Sequence, residues 1–354
     1  MKIGILTFHW AANYGAVLQC LALQSYLEQL GHMVEVINYK PKQYDNNLCN
    51  FFRFRKFLDL RTYLNDIKKE NAIKHFRNRY LRLSNRYYNL QQVAHNVGKY
   101  DAIISGSDQI LNPYFLLKGE GGRTPTYFLE FPFSGKKIAY AVSFGCTVYP
   151  AEAAAYAKQL VGNFDFISVR ENTGKDIVCK LGRDDVSVVP DPTALMNREF
   201  YFKFISQNRE NKEEYIYLFF IRNVRERLSV LRRMIGTDIR ANNDDGEFLM
   251  DNWLQNIGCA KGVVTDSFHA MMMSLKMEVP FVVITEQSGN VGMNDRFYSL
   301  LARLGLTERI VDKGNMSVVP TLLEKDIDWA YVRTQMNAYK QIGEDYISCS
   351  LNSR

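Results

Sequence analysis

The sequence has no stretch of the roughly 18–20 uncharged apolar residues that a membrane-spanning helix requires. Its start, Met1-Lys2-Ile3, runs straight into a strand-like segment without the features of a signal peptide. These absences predict a cytoplasmic protein. No Cys-x-x-Cys pair occurs: Cys20, Cys49, Cys146, Cys179, Cys259 and Cys349 lie far apart and read as reduced, mostly buried thiols, not as zinc ligands or a disulfide framework. No cluster of His, Asp and Cys has ligand spacing, so the chain is expected to work without a metal. The Gly-x-Gly-x-x-Gly pattern is missing too, which argues against a nicotinamide or flavin cofactor. There is no internal repeat and no low-complexity segment. A net charge of +6, from 44 basic and 38 acidic residues, is too small to imply nucleic acid as a partner.

The 354 residues, 47% apolar and 23% charged, are those of a globular protein long enough for two domains, each with its own core. Strand-like and helix-like segments alternate along the chain. Lys2 to Phe8, a helix from Gly15 ended by Gly31, and Met33 to Tyr39 form a first βαβ unit. After an interruption the series resumes with Tyr100 to Ile104, Lys137 to Val142, Phe164 to Val169 and Val186 to Val189, with helices over 150–161 and 170–181 between them. The charged run Ser206 to Glu214 reads as a linker. A second series follows: strand Tyr215 to Ile221, helices over 224–235 and 247–258, strand Gly262 to Val264, a helix from Phe268, strand Phe281 to Ile284 and a helix over 294–304. A terminal helix is expected within 326–347. This alternation predicts an α/β protein with mostly parallel sheets. The expected domains are 1–205, with a basic helical insert at about 41–99, and 215–323, with 324–354 returning to the first domain.

Charge is uneven. Eleven basic residues lie between Arg53 and Arg86 against Asp59, Asp66 and Glu70, on segments with helical apolar spacing. Two readings stand: a helical insert whose long charges are merely solvated, or a docking face for an anionic membrane surface or a lipid-diphosphate substrate.

The stretch Gly262 to Ile284, GVVTDSFHAMMMSLKMEVPFVVI, carries the strongest functional signal. It reads as strand, polar cap Thr265-Asp266-Ser267, helix and strand, placing His269 in the first helical turn. In open α/β sheets ligands bind outside the carboxyl ends of strands, and a helix N-terminus there favours an anionic group. His269 is either a catalytic residue at that position or a hydrogen-bonded structural histidine.

Taken together, several loops resemble the polysaccharide pyruvyl transferase family: Asn13-Tyr14-Gly15-Ala16 with Leu18-Gln19; Gly106-Ser107-Asp108-Gln109 with Asn112; Ser168-Val169-Arg170-Glu171; Asp191-Pro192-Thr193; Thr265-Asp266-Ser267-Phe268-His269; and Arg296 with Leu300-Leu301 and Gly305-Leu306. The resemblance implies a GT-B-like arrangement, two Rossmann-like domains facing each other across a cleft. It also implies transfer of the pyruvyl group of phosphoenolpyruvate to a sugar of a polysaccharide precursor, usually as a cyclic ketal with release of phosphate. His269 matches the family's central histidine. Members often carry Arg at the position of Ser267, which leaves open which residue here grips the donor's carboxylate or phosphate.

Ketal formation needs a proton for the donor's methylene carbon, and an imidazole suits that task at working pH. His269 is therefore the candidate general acid. The donor's anionic groups call for guanidinium partners, and Arg170 is the first candidate, followed by Arg222 and Arg296; each could instead be a surface or helix-capping arginine. Ser267 and Phe268 complete the expected donor site. Asn13, Tyr14, Ser107, Asp108 and Gln109 are expected to face the acceptor, although Asp108 could equally brace its loop. No cofactor beyond phosphoenolpyruvate as co-substrate is expected. The acceptor is a sugar or lipid-linked oligosaccharide, with 53–86 as a contact to the inner face of the membrane. Two other readings remain: a GT-B glycosyltransferase using a nucleotide sugar, and a non-catalytic sugar-binding protein.

Overall fold

A computed structural model of the chain describes residues 1–45, 60–205, 213–236, 238–242, 246, 248–289 and 292–353. The chain divides into two compact units, Met1–Leu195 with Gln341–Arg354, and Met196–Lys340. Most of the expected linker, residues 206–212, lies outside the described residues, as do Arg53, Arg55 and Lys56 of the basic segment.

The first unit is built on six parallel strands: β1 (Lys2–Leu6), β2 (Met33–Val36), β3 (Ala102–Gly106), β4 (Lys136–Val142), β5 (Phe166–Val169) and β6 (Val186–Val188), in the order β2-β1-β3-β4-β5-β6. Strand β3 is buried along its whole length, as expected of a parallel sheet covered on both faces. The helix Tyr14–Gln29 makes the first crossover and is buried over most of its length. Gly31 ends it at φ +83°, a left-handed conformation that glycine adopts without penalty. Among the described residues of the interruption after β2, the expected helical insert contains the long helix Leu60–Tyr80 and the shorter Leu90–Asn96. The last turns of the terminal helix Trp329–Asn352 lie on this sheet, with Tyr346 donating from its hydroxyl to the Ala139 carbonyl at 3.0 Å.

The second unit has five parallel strands: β7 (Ile216–Phe219), β8 (Ile239–Ala241), β9 (Gly262–Thr265), β10 (Phe281–Thr285) and β11 (Ile310–Asp312), in the order β11-β10-β9-β7-β8. Strands β8 and β11 are absent from the sequence reading: at three residues each, with Arg240 or Asp312 among them, they show no apolar run, unlike the equally short β6 with its valines. The helix Phe268–Met277 is central: nine of its ten residues are buried, including Met271, Met272 and Met273, so its helical face is apolar nearly all round.

Both sheets reverse their strand order once. In the first unit the reversal falls between β1 and β3, in the second between β7 and β9. The connections leaving neighbouring strands diverge there and open a crevice at the carboxyl end of the sheet.

Candidate functional site

At the reversal point of the second unit, β9 gives way to Asp266, Ser267, Phe268 and His269. Ser267 caps the helix Phe268–Met277: its backbone is extended and its Oγ accepts from the Ala270 N–H at 3.3 Å. A hydroxyl in this position satisfies a helix-end amide that would otherwise lack a partner. His269 follows in the first turn, 8% exposed, with the Phe268 ring edge-on to it at 5.5 Å. Phe268 also meets Phe297, ring centroids 6.3 Å apart, on the helix Asp295–Arg303. Arg296 stands on that helix, half-buried, its guanidinium 4.9 Å from the Phe297 ring centroid.

Asp266 ties the exits of β7 and β9 together. One of its oxygens accepts from the Ile221 N–H at 2.7 Å; the other accepts from the Arg222 N–H at 3.0 Å and from the Arg227 guanidinium at 2.6 Å. Arg227 also donates to Glu286 at the end of β10, and Glu286 accepts from Lys313 after β11 at 3.2 Å. Burial favours the neutral Glu286 carboxyl, but Lys313, Arg227 and Arg222 outweigh it and hold its pKa below the usual value. The Asp266–Arg227 pair is nearly dry, 5% and 3% exposed at the side chains. The network fixes the path of residues 220–223, and so the place of Arg222. The Arg222 side chain is exposed, 3.3 Å from the Met293 sulfur, and makes no ion pair among the described residues.

In the first unit the corresponding loops meet on Asp191, which is fully buried. Its Oδ1 accepts from the Thr193 N–H at 3.0 Å and the Thr193 hydroxyl at 2.6 Å; its Oδ2 accepts from Ser107 Oγ at 2.9 Å and from Arg170 at 3.0 Å. Arg170 reaches Glu171 as well, at 3.3 Å, and Glu171 accepts from Ser143. Burial opposes the charge on Arg170, yet Glu171, Asp191 and Asp108 raise its pKa further. Arg170 is 3% exposed, so its guanidinium is committed to these carboxylates.

Ser107 and Asp108 both adopt positive φ, +29° and +64°. Two successive non-glycine residues in this region are strained, and such strain persists only where surrounding bonds fix the loop. Those bonds are Ser107 to Asp191, the Ser143 N–H to the Asp108 carbonyl at 2.9 Å, and the Gln109 N–H to Asp108 Oδ1 at 2.9 Å. Gly145, at φ +67°, lies so close to Gln109 that a Cβ there would come within 2.6 Å of its amide oxygen. Asp108 and Gln109 remain half-exposed at the loop surface. Asn13 is exposed but its side-chain oxygen caps the helix Tyr14–Gln29, accepting from the Gly15 N–H at 2.9 Å, while Tyr14 is buried.

Next to these loops His9 is buried, its ring nitrogens 3.1 Å from the Thr7 carbonyl and 3.1 Å from Asn38 Oδ1. Burial lowers its pKa to about 4; the Asn38 bond opposes the shift, and Arg77 and Lys40 add to it. Between the unfolded value near 6.5 and about 4 the unfolded chain binds the extra proton, so stability falls as the pH drops through this window. The loss approaches about 3 kcal/mol on full protonation. Urea titrations between pH 7 and 4 are expected to show it, and His9→Gln is expected to remove that share of the slope; an unchanged slope contradicts the assignment.

Sequence reasoning missed Arg227, Glu286 and Lys313. They are scattered charges on a helix and two strand ends, and only the sheet order brings them together. Among the described residues no three His, Cys, Asp or Glu side chains are grouped to hold a metal ion, and no helix is long and apolar enough to cross a membrane.

Two parallel Rossmann-like sheets, each with a polar cluster at the carboxyl ends of its strands, define an α/β protein of the GT-B-like class. The sequence profile of the polysaccharide pyruvyl transferase family matches residues 13–288, and the chain belongs to that family. Among solved structures, a putative UDP-N-acetylglucosamine 2-epimerase from Listeria monocytogenes is similar at 10% identity over 98% of this chain and 95% of that one, with a TM-score of 0.56. The S. aureus MnaA–UDP co-structure is similar at 15% identity over 99% of this chain and 97% of that one, with a TM-score of 0.50. These likenesses concern the fold. No curated protein sequence matches the chain.

Proposed function

We propose that this transferase moves the pyruvyl group of phosphoenolpyruvate onto two hydroxyls of a sugar in a polysaccharide precursor, forming a pyruvate ketal and releasing phosphate. The observation that carries the reading is the position of His269: first turn of a capped helix, at the reversal point of the second sheet, in a chain of this family. Protonated His269 delivers its proton to the donor's methylene carbon. The cationic C2 that results takes up a first sugar hydroxyl, the C2–O bond to phosphate breaks, and a second hydroxyl closes the ketal. The two hydroxyl protons restore His269 and leave with phosphate. The helix end, with Ser267 and Phe268, adds partial positive charge where the donor's anionic groups lie.

Arg222 is the donor's guanidinium partner in this reading, with Arg296 second. Arg222 is exposed, on the same sheet end as His269, and held in place by Asp266. Arg170, enclosed by Asp191 and Glu171, is a positioning residue that fixes the Ser107-Asp108-Gln109 loop. Asp108 and Gln109 then offer the acceptor sugar a carboxylate and an amide. The protein works on the cytoplasmic side, with no cofactor beyond the co-substrate.

Loss of a charge-assisted contact costs roughly 1.5–3 kcal/mol, so Arg222→Ala is expected to weaken phosphoenolpyruvate binding about tenfold to a hundredfold. Calorimetric titration checks it. Unaltered affinity in the folded variant would transfer the role to Arg296.

A further inference from the structure

A pocket of about 360 Å³ opens in the first unit where the exits of β1 and β2 meet the helix Leu60–Tyr80. Nothing in the transfer chemistry uses it. Its wall carries four cations, Lys40, Lys74, Arg77 and Arg86, against two carboxylates, Asp45 and Glu70. Both carboxylates are already engaged. Lys40 lies 3.5 Å from Asp45 and 3.1 Å from Glu70, and Arg86 lies 2.5 Å from Asp45. Lys74 and Arg77 form no ion pair among the described residues.

Arg77 is the informative one. It is 8% exposed, and its guanidinium donates only weakly, at 3.4 Å, to the His9 carbonyl. Burial holds the Arg77 pKa below its usual value, and Glu70, beyond ion-pair distance, offsets only part of that; a buried guanidinium with no carboxylate in ion-pair reach is costly, because its lost hydration is incompletely replaced. Such a site is electrostatically prepared for an incoming anion. The same excess of positive charge opposes a proton on His9. Asn38, Asn71 and Asn78 supply amide donors beside the cations, and Trp10 forms a flat aromatic wall with Lys40 5.8 Å from its ring centroid. The pocket is also joined to the expected acceptor loops: Arg77 bonds to His9, and Thr7 donates to the Ser107 carbonyl at 3.3 Å.

We propose that this pocket holds the phosphate or diphosphate through which the acceptor sugar is attached to its carrier, with Lys74 and Arg77 neutralising the anion. This deepens the proposed function, since it rests on a sugar acceptor bound by the first unit. Two carriers share the chemistry, a polyprenyl diphosphate and a nucleoside diphosphate; the Trp10 wall suits an isoprenoid or a base equally.

The test uses the full chain, titrated calorimetrically with inorganic pyrophosphate and, in parallel, with phosphoenolpyruvate. Saturable pyrophosphate binding is expected, weakened about tenfold in Lys74→Ala, restored in Lys74→Arg, and accompanied by unchanged phosphoenolpyruvate affinity. Lys74 is exposed, so its removal leaves folding intact. Competition by geranyl diphosphate or by uridine diphosphate then names the carrier. Absence of pyrophosphate binding, equal affinity in Lys74→Ala, or competition by neither diphosphate would overturn the proposal. Loss of phosphoenolpyruvate binding together with pyrophosphate binding in Lys74→Ala would overturn it too, making this the donor's pocket. Pyrophosphate binding that depends on Lys74 in a protein that never binds phosphoenolpyruvate would keep the pocket and remove the donor reading.

Discussion

His269→Gln is expected to lower phosphoenolpyruvate-dependent transfer to a sugar acceptor by about 10²- to 10⁴-fold, the usual worth of a positioned general acid. Glutamine keeps most of the volume and a polar end, and the neighbouring Phe268 ring and Ser267 cap are untouched, so the helix Phe268–Met277 is expected to form as before. Phosphate release measured over a panel of glycoside acceptors reads the loss, and a melting temperature close to wild type shows that the fold survives. Donor binding is expected to change little, because the proposed partners of the anionic groups are Arg222 and the helix end. Normal turnover in the folded variant would remove His269 from the chemistry.

The largest expected effect on stability is at Asp191. Asp191→Ala removes one carboxylate from Ser107, Thr193 and Arg170 together, and leaves the Arg170 guanidinium buried without its Asp191 partner. Breaking one side of a buried ion pair typically costs about 3–5 kcal/mol. Chemical denaturation is expected to show a loss of that size, located by hydrogen exchange in the first unit. Replacing both partners, Arg170→Met with Asp191→Leu, is expected to cost less than the two single changes added, since the Arg170 and Asp191 charges leave together and only Glu171 loses its cation. A loss below about 1 kcal/mol in Asp191→Ala would mean that the hub is not what holds the Ser107-Asp108 strain.

Much of this arrangement is legible in the sequence because parallel sheets write themselves plainly. Buried strands such as β3, β9 and β10 are short continuous apolar runs, and Thr265-Asp266-Ser267 announces the helix that carries His269. The edge strands β8 and β11 leave no such trace, because one of the three residues in each is charged, Arg240 and Asp312. The site divides in the same way. His269, Ser267 and the Ser107-Asp108-Gln109 loop are local signals, readable from strand ends and caps. The partners of Arg170 and Arg222 are not, because a lone arginine looks alike in sequence whether it faces solvent or a carboxylate 21 residues away, as Arg170 faces Asp191. Likewise the basic segment reads as one cationic face, whereas its described members differ: Arg82 pairs with Glu28, Arg86 with Asp45, and Arg77 is buried.

Transfer from phosphoenolpyruvate is the central claim, and donor binding tests it without knowledge of the acceptor. Isothermal titration of the purified chain with phosphoenolpyruvate, and separately with a panel of nucleotide sugars, is the direct measurement. Saturable binding of phosphoenolpyruvate is the expected result. Binding of a nucleotide sugar with no response to phosphoenolpyruvate would contradict it and make the protein a glycosyltransferase in function.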